Sequence, residues 1–145
     1  MNDAVANHHG LAGALGAGLP ALLLQFVMCL LLLAVGVAIY TAVTPFRERS
    51  LLAQGNVAAA TMLSGAVVAL ALPLAALLAT TSSYIEIAVW GTVAILLQLL
   101  TVTVLSHVLR GMVRMIEAGQ VAAALPIVAA QVAVGLLNAA VMVPV

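Results

Sequence analysis

The sequence contains no lysine, and its only basic side chains are Arg47, Arg49, Arg110 and Arg114. Against them stand four acids, Asp3, Glu48, Glu86 and Glu117, so the formal net charge is zero. This excludes a nucleic-acid partner, because phosphate recognition requires clustered positive charge. Cysteine is nearly absent as well. The lone Cys29 lies in an apolar run and can form neither an internal disulfide nor a thiolate metal site. It reads as a small buried hydrophobe. Residues 1–20 hold no Lys or Arg, so the positive n-region of a secretory signal is missing.

What is present is overwhelmingly apolar: 66% of the residues are hydrophobic, 6% are charged, and the mean hydropathy is +1.33. A soluble domain of this length needs far more polar surface to cover its core. A helix needs about 20 apolar residues to cross roughly 30 Å of hydrocarbon. Residues 21–43, 57–79, 87–106 and 120–143 supply that length, with no charge inside any of them. Thr44-Pro45, Gly55-Asn56, residues 80–83 and Gly119 mark the gaps. Unpaired strand edges are too costly in lipid, so the segments are expected to be helices. Residues 1–20, ending in a Gly/Ala/Leu stretch and Pro20, read as a short lead-in to this transmembrane domain.

All four arginines fall in the connections after the first and third spans, which an even number of crossings places on one side. The positive-inside bias makes that side cytoplasmic, so both termini are expected to face the periplasm of a Gram-negative bacterium. The chain also resembles itself. An offset of 64 residues lays 55–76 over 119–140 with eleven of twenty-two positions identical, beginning with Gly55 over Gly119. Each unit holds two helices, an even number, so the expected fold is all-α, with four transmembrane helices arranged as two parallel two-helix repeats.

Thr44-Pro45, Asn56-Val57-Ala58-Ala59-Ala60 and Leu72-Pro73-Leu74 occur in order with Trp90-Gly91, Gln98-Leu99-Leu100 and a terminal Gly135-Leu136-Leu137-Asn138-Ala139-Ala140. In these motifs and their spacing the chain resembles the YjfL-like inner-membrane proteins (domain of unknown function 350) from about Leu22 onward. The resemblance implies a bacterial four-helix protein of the inner membrane and supplies no chemistry. It also suggests, through the genes that neighbour the family, an envelope-stress protein as partner.

Ionisable groups inside a membrane are functional sites by default, and the spans contain none. Glu86 comes closest, one turn before Trp90, and the pair is the candidate outer mouth, although an interfacial Trp is ordinarily an anchor. Small and polar residues recur along helix faces, as in Thr61, Gly65, Ala69 and Pro73, or Gln131, Gly135, Asn138 and Met142. Gln98, Gln131 and Asn138 are the candidates for interhelical bonding or for lining a path, since small residues let backbones approach and amides bond across the seam. Arg47, Arg49, Arg110 and Arg114 are candidates for contact with lipid headgroups or a partner, and residues 110–117 read as a helix extension lying along the headgroups. His8-His9 has no Cys or acidic cluster beside it and makes a poor metal site.

No nucleophile–base pair, phosphate-binding loop or metal constellation is present in the sequence, so neither catalysis nor a cofactor is expected. Two functions remain. One is a structural or accessory component of the bacterial envelope, oligomeric and in contact with lipid. The other is a small channel or transporter subunit with an amide-lined path.

Overall fold

The structure, a computed structural model, describes residues 2–44 and 48–143; the side chains of residues 2–12, 14, 15 and 17 lie outside that description. Asp3, His8, His9 and Arg47 therefore fall outside the described side chains. The described residues form six helices: α1 (Asn2–Val43), α2 (Glu48–Ala53), α3 (Val57–Thr80), α4 (Tyr84–Val108), α5 (Arg110–Glu117) and α6 (Val121–Val141). Four of them contain segments long and apolar enough to cross a membrane: Gly18–Val43, Val57–Thr80, Tyr84–Val108 and Val121–Val141. This is an all-α, multi-pass membrane architecture.

The lead-in is not separate from the first span. α1 runs unbroken from Asn2 through Pro20 to Val43. A proline inside a helix removes one backbone bond, but here it interrupts a stretch rich in Ala and Leu, the strongest helix formers. The third span begins at Tyr84 instead of residue 87, because Ser83 caps it, its hydroxyl accepting from the Glu86 amide. Residues 110–117 also differ from expectation. They form a helix of their own, set off from α4 by Leu109, with Ile116 fully buried and both arginines exposed.

The two short helices end alike. Gly55 and Gly119 adopt φ of 76° and 83°, a region open to glycine at no steric cost. Each supplies the left-handed residue of a Schellman turn. Gly55 donates to the Leu52 carbonyl and Asn56 to that of Leu51, while Gly119 donates to Ile116 and Gln120 to Met115. α3 and α6 then start two residues after their glycines.

Hydrogen bonds between elements order the ends of the bundle. Gln25 Nε2 donates to the Ser82 carbonyl at 2.8 Å, which brings the early part of the first span beside the α3–α4 turn. Asn56 caps α3 by accepting from the Ala59 amide, and its Nδ2 donates to the Ile116 and Glu117 carbonyls at 2.9 and 3.1 Å. α3 and α6 therefore begin at one end of the bundle and run parallel, and the spans of α1 and α4 run the other way. Arg49, Arg110 and Arg114 all lie at the end where α3 and α6 begin.

α3 is the central helix, with buried residues along its length from Ala58 to Leu77. Its most extensive partner is α6. The seam between them is built from small residues, and lipid-embedded helices gain their association from close packing of this kind. A Cβ on Gly65 would lie 2.5 Å from a Val128 methyl, and one on Gly135 would lie 2.6 Å from the Ala69 carbonyl oxygen. At the arginine end, Ala58, Met62, Ile116, Ala123, Ala124 and Ile127 form one core cluster. A second, joining α1, α3 and α4, centres on Tyr40, Ala66, Leu70, Ile95, Leu99 and Val102.

Candidate functional site

Tyr40, Thr44 and Glu48 are spaced four apart in the sequence, from the last turn of α1 to the first residue of α2. Thr44 Oγ1 donates to the Tyr40 carbonyl, which ties the end of α1 into its last turn. Glu48 then opens α2 and turns inward, with only 2% of its surface exposed. Glu86, the acid expected nearest the membrane interior, lies in the first turn of the third span, and the sequence does not single out Glu48. Glu86 is exposed and accepts from the Thr81 hydroxyl, whereas Glu48 sits among the helices.

Neither Glu48 carboxyl oxygen has a hydrogen-bond partner among the described residues. Burial pushes the carboxyl up from its ordinary 4.5 to about 7, a rise the neighbouring Tyr40 and Thr44 hydroxyls offset only in part. Tyr40 has 2% of its surface exposed, and its hydroxyl, beside Glu48, Thr44 and Gln131, also lacks a partner among the described residues. Buried polar atoms are nearly always satisfied, so several orphans in one place are unusual.

The orphans continue into the middle of the bundle. Gln98, near the centre of α4, donates through Nε2 to the carbonyls of Ala69 at 3.0 Å and Gln131 at 3.3 Å. It thereby joins α3, α4 and α6. Its Oε1 and the Nε2 of Gln131 are buried without partners among the described residues. Tyr40, Gln98 and Gln131 line a cavity of about 10 Å³, floored by Ala69 and Leu99. That is near the lower limit of room for one water molecule, roughly 10–15 Å³.

Two turns beyond Gln131 and one beyond Gly135, Asn138 is half-buried and donates through Nδ2 to the Ala94 carbonyl at 3.3 Å. It also lines a cavity of about 340 Å³ that contains Thr80, Thr81, Glu86 and Trp90. The candidate outer-mouth pair and one of the three candidate amides thus share a single space. From the arginine end outward, the polar residues run Glu48, Tyr40, Gln131 with Gln98, then Asn138 and the outer cavity. Gly135 packs closely against that column, since a Cβ there would lie 2.7 Å from Gln98 Nε2.

The family model for the Domain of Unknown Function (DUF350) matches residues 14–142. The chain belongs to the DUF350 family. No curated protein and no solved structure matches it. The matched region of this DUF350 protein covers every residue of the polar column and leaves His8 and His9 outside.

Arg49, Arg110 and Arg114 are exposed at the end where the column begins. The latter two border a depression with Ser106, His107 and Val113. Arg47, the fourth candidate, lies outside the described residues. Among the described residues no group of three His, Cys, Asp or Glu side chains is placed to hold a metal ion. Sequence reasoning missed Glu48 because Arg47 and Arg49 flank it, and a mixed charge run normally reads as solvated. The one signal in its favour was the four-residue spacing of Tyr40, Thr44 and Glu48.

Proposed function

We propose that this DUF350 protein is a proton-responsive channel or transporter subunit, with Glu48 as its protonatable group and the Gln98, Gln131 and Asn138 amides lining the remaining path. The observation that carries this reading is the buried Glu48 carboxyl without a partner among the described residues. Leaving a charge uncompensated in a protein interior costs several kcal/mol, and an apolar residue would pack there at no such cost. Intramembrane and membrane-edge carboxyls of this kind mark proton relays. A protonated Glu48 can donate to the Tyr40 hydroxyl beside it, and a deprotonated one can accept from it.

The test uses purified protein in vesicles that enclose a pH-sensitive dye, driven by a potassium diffusion potential. Wild type should admit protons, and Glu48→Gln should slow entry by about tenfold or more. Vesicles as tight as protein-free ones, or equal flux through Glu48→Gln, would sink the reading.

A structural or accessory role in the bacterial envelope is the second reading. It is favoured by the Gln98 amide, whose bonds to two other helices hold the bundle shut around a water-sized space. In that role the protein acts through lipid headgroups at Arg47, Arg49, Arg110 and Arg114, through other copies of itself, and through an envelope-stress partner. Both readings are non-enzymatic.

For either, we place the protein in the bacterial inner membrane with the arginine end cytoplasmic and the start of α1 and end of α6 periplasmic. With Cys29 replaced, an impermeant thiol reagent applied to intact cells should label Ser83→Cys and spare Ser50→Cys. The opposite pattern would invert the topology. A pseudo-two-fold axis along the membrane normal is proposed to relate α1–α3 to α4–α6 as two copies of one unit.

A further inference from the structure

The cavity at the outer end, where the proposed path reaches Asn138, also holds a carboxylate and an indole that the path does not use. Its volume, about 340 Å³, falls in the range of small-molecule sites, roughly 300–1,000 Å³. Leu77 and Met142 contribute apolar wall, Trp90 an indole, Glu86 a carboxylate and Asn138 an amide. Glu86 and Trp90 stand one turn apart on the same face of α4.

The polar groups are held in place. Thr81 Oγ1 donates to Glu86 Oε2, and Asn138 Nδ2 is engaged by the Ala94 carbonyl, which turns the amide oxygen into the acceptor that remains. The Glu86 carboxylate is the one charged group among the lining residues, and the Asn138 oxygen and the indole of Trp90 stand with it. Every described arginine lies at the opposite end of the bundle. An anion would meet the Glu86 carboxylate with no basic side chain among the lining residues, and a metal ion would find a single carboxylate. A substituted ammonium is matched on each count: its charge to Glu86, its alkyl shell to the indole face and the apolar wall.

We infer that the outer cavity is a binding site for a monovalent organic cation with an apolar body, held between the Glu86 carboxylate and the Trp90 ring. This site lies at the outer end of the proposed path and shares Asn138 with it, yet it can be filled whether or not anything crosses the membrane.

Trp90 is the only tryptophan in the chain, so its emission reports on this cavity alone. Benzyltrimethylammonium titrated into the purified protein in nonionic detergent should change that emission saturably, and calorimetric titration should return the same Kd. Benzenesulfonate, of similar size and opposite charge, should give no saturable change. Glu86→Gln should bind the cation about fivefold to tenfold more weakly, as expected for losing a partly solvated charge partner. Because Glu86 is exposed, the variant should keep the wild-type helical dichroism. A linear, unsaturable response, equal affinity in Glu86→Gln, or equal binding of the sulfonate would each overturn the assignment.

Discussion

Glu48→Gln is expected to make the protein more stable at pH 8, by about 3 kcal/mol, and to erase most of its pH dependence between pH 4.5 and 7. The sign follows from the proton count. The folded carboxyl titrates at about 7 and its ordinary value is 4.5. Between those values the folded chain holds a proton that the unfolded chain has released, so stability falls as pH rises through the window and levels off above it. The difference of about 2.5 units corresponds to about 3 kcal/mol at roughly 1.4 kcal/mol per unit. Glutamine keeps the shape of the protonated acid and cannot ionise. Thermal melts followed by circular dichroism in nonionic detergent, at pH 5 and pH 8, measure both effects. Wild-type melts that coincide at the two pH values, or a Gln variant weaker at both, would show that Glu48 is compensated in the folded protein.

A second large effect is expected where α6 meets the backbone of α3. Gly135→Ala would place a Cβ 2.6 Å from the Ala69 carbonyl oxygen, 2.7 Å from Gln98 Nε2 and 3.1 Å from the Ala69 Cα. Two of those atoms are backbone and cannot rotate away, so α6 must move off α3. Overpacking of this kind costs about 1–3 kcal/mol, and the loss of the Gln98 bonds adds to it. Gly65→Ala meets Val128, whose β-branched side chain has little freedom to yield, and pairing it with Val128→Ala should recover most of the loss. Gly36→Ala is the control. Its new methyl meets only Ile95 side-chain atoms at 3.4 to 3.5 Å, and alanine favours a helix over glycine by about 1 kcal/mol. Melts of the three variants should rank in that order, with Gly36→Ala no worse than wild type. Equal melting of Gly135→Ala and Gly36→Ala would refute the close-packing account.

The features legible in the sequence were those that depend on one-dimensional pattern. Four uncharged runs of sufficient length make four helices in any order of packing, and glycines 55 and 119 announced the turns that end α2 and α5. The amides at 98 and 131 could be expected between helices, because lipid offers them nothing. Glu48 could not be read the same way. Its burial depends on where α2 packs against the end of α1, so that a residue in a charged run comes to lie beside Tyr40. The continuity of α1 was hidden for a related reason. Pro20 and a run of glycines look like a boundary, yet they are compatible with a helix when nothing nearby competes for the backbone. The outer cavity is a tertiary product too, since Glu86 and Asn138 are 52 residues apart and meet only through the packing of α4 with α6.

The bonds from Asn56 to the Ile116 and Glu117 carbonyls bear on how the protein is made. The donor emerges from the ribosome some sixty residues before its acceptors, and the small-residue seam of α3 emerges equally far ahead of Val128 and Gly135 on α6. Through that interval the first hairpin must reside in the bilayer with its central surface against lipid or an insertion factor. Biogenesis therefore has a late step, in which the last helix arrives and completes a surface that was synthesised first.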